Sequence, residues 1–286
     1  MRKGLIGLTL IASMVASQTA AFAWGHTGHM VVAQIANTQL NPKAAARLDL
    51  LVKKLRFGPR TYDRITLATM MDDFRSDPKK DDFKPWHFTN DPFFDGVAPF
   101  DVNLPEINAE ERINFIVAQL KSGPASEVEE AKLVAYLFHL VGDIHQPLHS
   151  TSRYFPNHLE GDMGGNSFLI NHKEKNLHAY WDAAGGFFNF VEVKHPLTAP
   201  GRKSIKMFAS KAMAAYPTSK PEWKDLDVHH WVEEGHELAI SSAYNGIKQN
   251  GIPSGRYQTR AQSVCRKRLA MGGYRLAALL NEIYPE

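Results

Sequence analysis

The sequence predicts a mostly α, single multi-helix domain with a small β-hairpin or loop insertion in its middle. Three observations carry that expectation. Apolar residues recur at helical spacing over most of the chain, glycine punctuation concentrates between residues 151 and 172, and no repeat, low-complexity tract or linker divides the sequence. The chain has 286 residues, 44% hydrophobic and 22% charged, enough to bury a core and too apolar for a disordered polymer.

The elements follow in order. Residues 1–23 read as an export signal: Met1-Arg2-Lys3 is a positive start, Gly4 to Val15 an apolar run, and Ala21-Phe22-Ala23 a small-x-small cleavage pattern. The run is shorter than the roughly 20 residues that span a bilayer, which argues against a retained anchor. Cleavage would leave one domain, residues 24–286, starting at Trp24, in a periplasmic or secreted protein with no membrane segment in its mature form. Val31, Val32, Ala33, Ile35 and Ala36 mark one helix and Ala44 to Leu55 a second, separated at Asn41-Pro42. Asn108 to Leu120 carries Ile113, Ile116, Val117 and Leu120 on one helical face. After Pro124, Ser126 and Glu129 form a candidate capping box for a helix through Leu133, Leu137, Leu140 and Val141, which Pro147 stops. Gly161, Gly164, Gly165 and Asn166 then punctuate a short β-like stretch, Asn166 to Asn171. Trp223 to Ile247 and Tyr257 to Ile283 read as long helices.

Charge and cysteine content exclude whole classes. The 33 basic and 30 acidic residues nearly balance, and without Arg2 and Lys3 of the leader the excess falls to one. Bulk charge therefore cannot hold nucleic acid. A single cysteine, Cys265, excludes an internal disulfide and a thiolate metal cluster, and reads as a small buried apolar residue. Thirteen histidines stand out against this plain background.

Their spacing suggests a metal centre. His139 and Asp143 lie four apart on a helix, so their side chains diverge by only about 40° and can reach one ion. His178 and Asp182 repeat the arrangement. His149 follows the Pro147 stop, His29 comes one turn after His26, Asp72 and Asp73 sit in an apolar stretch, and His87 adjoins Trp86. One such pair is commonplace. Two, each in apolar helix and flanked by further histidines, favour a cation, because burying so many ionisable groups without one is costly. Imidazole and carboxylate are ligands that Zn²⁺ accepts.

These residues fall in six ordered motifs. They are Trp24-Gly25-His26-Thr27-Gly28-His29, Ala68-Thr69-Met70-Met71-Asp72-Asp73-Phe74-Arg75, Trp86-His87-Phe88, the run Phe138 to His149, Gly164-Gly165-Asn166, and Asn176 to Asp182. With them the chain resembles the zinc-dependent single-strand nucleases and 3′-nucleotidases of the fungal S1/P1 type. The segments around Trp231 to Glu234 and Gly272 to Ala277 match more loosely. The resemblance implies three Zn²⁺: one on Asp72, His87, His139 and Asp143; a second on His149, His178 and Asp182; a third on His29, a bridging Asp143, and the α-amino nitrogen and carbonyl oxygen of Trp24. The amine binds only when processing has freed it, which would link export to metal loading. Asp72 would also orient the attacking water and Arg75 would bond the phosphate. Phe88 would stack a base, with Asn90 and Asn166 near base edges. Implied substrates are single-stranded DNA and RNA, cut to 5′-phosphate products, and 3′-nucleotides; a monomer is expected.

The chain departs from the family at Thr69 and Met70, where Ser and Trp are common, and at Asn90, where some relatives have Asp. The latter leaves base preference open. Asp73 reads as a neighbour of the site. His145 points about 120° from the His139 face. His26 reads as facing solvent or supporting the ligands, and His158, His172, His195, His229, His230 and His236 lack a matched partner. The rival readings are a zinc-dependent phospholipase C and an exported zinc-buffering protein.

Overall fold

Most helices begin where a short polar side chain can receive an otherwise unpaired backbone N–H. The structure, a computed structural model, describes residues 24–74, 78–156, 158–189 and 193–286, so the expected leader and Arg75 lie outside the described residues. Helix α1 (His26–Asn37) follows Gly25; α2 (Pro42–Leu51) has Pro42 in its first turn and the Asn41 side chain receiving Ala44 N–H at 2.7 Å. The short α3 (Met70–Phe74) continues a 3₁₀ turn at Thr66–Thr69. Asn108 caps α4 (Ala109–Ser122), and Ser126 receives Glu129 N–H at 3.2 Å to open α5 (Glu127–Ile144). The Glu129 carboxylate reaches back to Ala125 N–H at 3.0 Å, one residue outside the expected box. Asn176, Thr198, Asp227 and Ser254 cap α6 (Leu177–Asp182), α7 (Ala199–Ala215), α8 (Val228–Leu238) and α9 (Gly255–Ile283).

Helix α9 lies along α1, α5 and α7, and α4 packs on α5. Val32, Ile35, Leu137, Phe138, Val141, Leu269 and Leu276 are fully buried between them. Gly273 lets α9 approach closely, since a Cβ there would fall 2.5 Å from Ile35. No helix among the described residues is long and apolar enough to cross a membrane.

The expected mostly α architecture is present, with differences in detail. Helix α7 was not anticipated: only Ile205, Phe208, Ala209 and Ala212 of it are buried, too sparse a stripe to stand out in the sequence. The expected helix from Trp223 begins at Val228, where Asp227 can cap it, and passes into a π turn at Ala239–Ala243. The second helix ends at Leu51, followed by a 3₁₀ turn at Val52–Lys54. Asn166 to Asn171 forms no regular strand; it makes one isolated bridge, Leu169 to Asn176, and bonds to the loop at Asn250 and Gly251. The strands lie elsewhere. β1 (Arg56–Phe57) and β2 (Arg60–Thr61) form a minimal antiparallel pair, while β3 (Asp91–Phe94) runs parallel to β4 (Thr151–Tyr154) in the register Asp91 to Thr151.

Candidate metal centre

Four helices and two connecting segments deliver the candidate ligands to one place. The last two turns of α5 carry His139 and Asp143, the turn Pro147–His149 carries His149, α6 carries His178 and Asp182, α3 carries Asp72 and α1 carries His29. A 3₁₀ segment, Pro78–His87, ends in His87. Backbone bonds from Thr89 N–H to the His149 carbonyl, 2.9 Å, and from Asp91 N–H to the Ser150 carbonyl, 3.2 Å, hold the two connections side by side.

The side chains converge as three groups, His29 with His139 and Asp143, Asp72 with His87 and His139, and His149 with His178 and Asp182; all are buried. Asp143 is central. One carboxylate oxygen lies 3.2 Å from His29 Nε2, and the other 2.8 Å from His87 Nδ1 and 3.3 Å from His139 Nε2. Asp72 Oδ1 is 3.8 Å from His139 Nε2, and the His29 and His139 rings stack with centroids 4.0 Å apart.

Proton placement tests whether a metal fits. His139 Nδ1 donates to the Ala68 carbonyl at 2.7 Å, His178 Nδ1 to the Gly164 carbonyl at 2.7 Å, and His149 Nδ1 to the His87 carbonyl. A carbonyl only accepts, so each Nδ1 bears the proton and each neutral ring keeps a lone pair on Nε2. Yet His149 Nε2 and His178 Nε2 face each other at 3.1 Å, with Asp182 Oδ2 3.6 Å from the latter. Two lone pairs and a carboxylate aimed at one buried point suit a cation. The tethering of a ligating imidazole through its other nitrogen is the usual support of a metal site. The donor set therefore fits a divalent metal of the kind imidazole and carboxylate hold.

Electrostatics agree. Burial, and then the neighbouring His139, push the His29 pKa down to about 4, against the opposing pull of Asp143. Burial opposes the charge on Asp143, but His139, His29 and His87 overcome it and hold its carboxyl well below the ordinary range. His139 is raised, because Asp143 and Asp72 outweigh burial, which acts the other way.

Several supporting groups escaped the sequence. Gln146 donates to Asp182 Oδ1 at 2.8 Å and accepts Leu148 N–H at 2.6 Å, fixing the carboxylate whose second oxygen faces His178. Gly142 lets His29 sit against α5: a Cβ there would fall 2.6 Å from His29 Nδ1. Gly164, in the left-handed region at φ 62°, brings its carbonyl to His178; a Cβ would lie 2.3 Å from the Leu148 carbonyl oxygen. The buried Asp162 holds that turn, its Oδ1 receiving Arg153 N–H and Gly165 N–H at 3.0 Å and Tyr244 O–H at 2.9 Å. A mid-helix glycine at 142, costing about 1 kcal/mol against alanine, was the one available signal.

The other candidates are placed as follows. Trp24 is fully buried, with Gly28 beneath its side chain, and Gly25 N–H meets the Asp182 carbonyl at 3.4 Å, so the expected processed terminus adjoins the end of α6. Phe88 and Asn90 are half-buried between His87 and β3, Asn90 with a left-handed backbone at φ 62°. The Asn166 amide donates to the Met163 carbonyl at 2.7 Å, so this group serves the turn. Asp73 points to the β1–β2 pair, binding Arg60 and receiving Tyr62 O–H at 2.6 Å. His26 Nε2 lies 3.8 Å from Asp72, partly exposed. His145 turns away, donating to the Val141 carbonyl at 2.8 Å and accepting from Arg275 at 3.1 Å. The loosely matched C-terminal motifs meet it there. The buried Arg268 bonds the Ile144, His145 and Trp231 carbonyls, and Arg275 bonds Glu234 at 2.7 and 2.8 Å, locking the end of α5 beyond Asp143. His229 and His230, unmatched in the sequence, pair with surface acids, Glu110 and Asp225. Cys265 is fully buried and burial pushes its thiol far up, as an inert residue should be.

Fold and site together define a helical protein with a buried carboxylate–imidazole cluster able to hold metal. Comparison with known proteins agrees. The family described as S1/P1 Nuclease matches residues 24–285. Nuclease S1 of Aspergillus oryzae (strain ATCC 42149 / RIB 40) is 26% identical over 299 residues, covering 96% of this chain and 97% of its own. Endonuclease 3 of Arabidopsis thaliana is 23% identical over 99% of this chain and 96% of its own, and Endonuclease 5 is 31% identical over 52% and 50%. The chain belongs to the S1/P1 nuclease family and is a hydrolytic nuclease acting on nucleic acids.

Proposed function

We propose that the mature protein is a zinc-dependent endonuclease that cleaves phosphodiester bonds of single-stranded DNA and RNA to 5′-phosphate products, and that it also removes phosphate from 3′-nucleotides. The observation that carries this reading is the set of imidazoles anchored through Nδ1 to backbone carbonyls, whose Nε2 lone pairs converge with buried carboxylates in three groups. Three zinc ions would be held by Asp72, His87, His139 and Asp143; by His149, His178 and Asp182; and by His29, Asp143 and Trp24. Bound there, zinc would supply Lewis acidity, neutralising phosphate charge and lowering the pKa of water from about 15.7 toward 7.

The chain's own residues do the rest. Asp143 offers one oxygen to each side of the cluster, and Asp72, buried at the end of α3, orients the attacking water. Arg75 follows α3 in sequence and would contact the phosphate. Phe88 would stack the base and Asn90 and Asn166 would approach its edge, favouring single strands because a paired base cannot offer its face. Export and cleavage before Trp24 would create the amine that completes the third position, so the precursor should load less metal than the mature form. A mature protein with one additional N-terminal residue, holding three zincs and fully active, would refute that link.

The test is metal analysis of protein beginning at Trp24, with release of acid-soluble nucleotides from denatured and native DNA before and after chelation. Three equivalents of zinc and loss of single-strand cleavage on chelation support the reading. Release of phosphocholine from lecithin with no nucleotide release would turn it to a phospholipase C, and zinc binding without either activity to a storage protein.

A further inference from the structure

We propose that Phe94, Phe100 and Tyr154 form an accessory stacking platform for a base of the bound strand some three to four nucleotides from the scissile bond. This rests on the single-strand nuclease reading above. The β3–β4 ribbon leads away from the candidate ligands: β3 starts four residues after His87 and β4 two after His149. In its register Pro92 pairs with Ser152 and Phe94 with Tyr154, so these four share one face. The glycine loop lies on that face. Met163 N–H donates to Ser152 Oγ at 3.1 Å, and a Cβ on Gly161 would fall 2.9 Å from the Tyr154 ring. The same loop continues to Gly164, whose carbonyl anchors His178, and to Asn166. One surface thus joins the centre to the far end of the ribbon.

There the three rings brace one another, Phe94 to Phe100 at 5.0 Å, Phe94 to Tyr154 at 5.5 Å and Phe100 to Tyr154 at 5.6 Å between centroids. Phe100 remains 40% exposed, flanked in the loop by Leu159 at 56% and Met163 at 50%. The opposite face is anchored: Phe93 and Arg153 pack on Tyr244, and Arg153 pairs with Asp95. A braced, exposed ring suits stacking because little freedom is lost on binding.

The surrounding chemistry selects the base as occupant. Residues 95–108 and 155–163 contain no lysine or arginine, and they include Asp95, Asp101 and Glu160. Anionic lipid would require basic residues there. Phosphate would too, so the face of a base is what this surface can hold. From Ser150 to Tyr154 the strand rises about 13 Å, which corresponds to three or four steps of about 3.4 Å in a stacked strand.

The experiment compares kcat/KM of the metal-loaded mature protein on a dinucleotide and on an octanucleotide. The variants are Phe100→Ala and Phe100→Trp, at an exposed position. The platform predicts that Phe100→Ala lowers the octanucleotide value about 5-fold or more, leaves the dinucleotide value unchanged, and is rescued by Phe100→Trp. Equal effects on both substrates, or none on either, overturn it. So does a concentration-dependent dimer in sedimentation that Phe100→Ala abolishes without a length effect, which would make this face a contact between copies. Wild-type protein inert on both oligonucleotides would sink the nuclease reading itself, and the platform with it.

Discussion

Substituting Gly142 by alanine should remove one metal position while leaving the helix intact. A Cβ at residue 142 would lie 2.6 Å from His29 Nδ1 and 3.1 Å from Cε1, against an ordinary contact of 3.4 Å or more. His29 is fully buried and stacked on His139 at 4.0 Å, so the ring must retreat from α5, and with it from Asp143 Oδ1 at 3.2 Å. The retreat is roughly 0.8 Å, several times the ~0.2 Å tolerance of ligand distances. Affinity at the position shared by His29 and Asp143 should fall about 10- to 100-fold or more. The helix gains, since alanine is favoured over glycine by about 0.8–1 kcal/mol in a helix interior. Metal content by mass spectrometry after dialysis at limiting zinc, beside a thermal melt of the metal-free protein, measures both effects. The expected result is one equivalent fewer than wild type, with an apo melting temperature unchanged or higher. Full metal content at wild-type affinity would show that His29 is not held against Gly142 as a ligand.

Asp162→Ala would strand three buried donors, Arg153 N–H, Gly165 N–H and Tyr244 O–H. It should cost about 3 kcal/mol in urea unfolding and weaken metal binding at His149, His178 and Asp182 by about 10-fold. Asp162→Asn retains an acceptor oxygen and should recover most of both losses; an Asn variant as impaired as Ala would refute the acceptor role. His145 is buried neutral, its pKa lowered well below the usual value by burial and then by Arg268 and Arg275. The unfolded chain therefore takes up a proton that the folded chain does not, so stability is full above about pH 6.5 and falls by about 1.4 kcal/mol per pH unit below it. Replacing His145 by glutamine, which can still accept from Arg275, should flatten urea-unfolding stability between pH 6.5 and 5 by that slope relative to wild type. Parallel curves would contradict a neutral His145.

What could be read in advance follows from how local its cause is. The ligand spacing on α5 and α6 is a property of the helix itself, so His139 with Asp143 and His178 with Asp182 were readable from position alone. Helix α5 was equally plain, because its buried face is continuous from Val134 to Ile144. Asn166 to Asn171 alternates like a strand, with Phe168 and Ile170 buried and Leu169 exposed, but the backbone offered to it is the 250–251 loop, so pairing stops after one bridge. The real strand pair, β3 with β4, joins segments 60 residues apart, a separation no local pattern announces. The carbonyls of Ala68, His87 and Gly164 that orient the imidazoles leave no mark in the sequence, since every residue has a carbonyl and only the tertiary approach selects these three.

The central claim, that these three clusters of side chains are metal positions, is tested most directly by anomalous diffraction at the zinc edge from crystals of protein beginning at Trp24. The account predicts three peaks: one among Asp72, His87, His139 and Asp143, one among His149, His178 and Asp182, and one between His29, Asp143 and the Trp24 terminus. Zinc-soaked crystals with no anomalous density within bonding distance of Asp143 would contradict it.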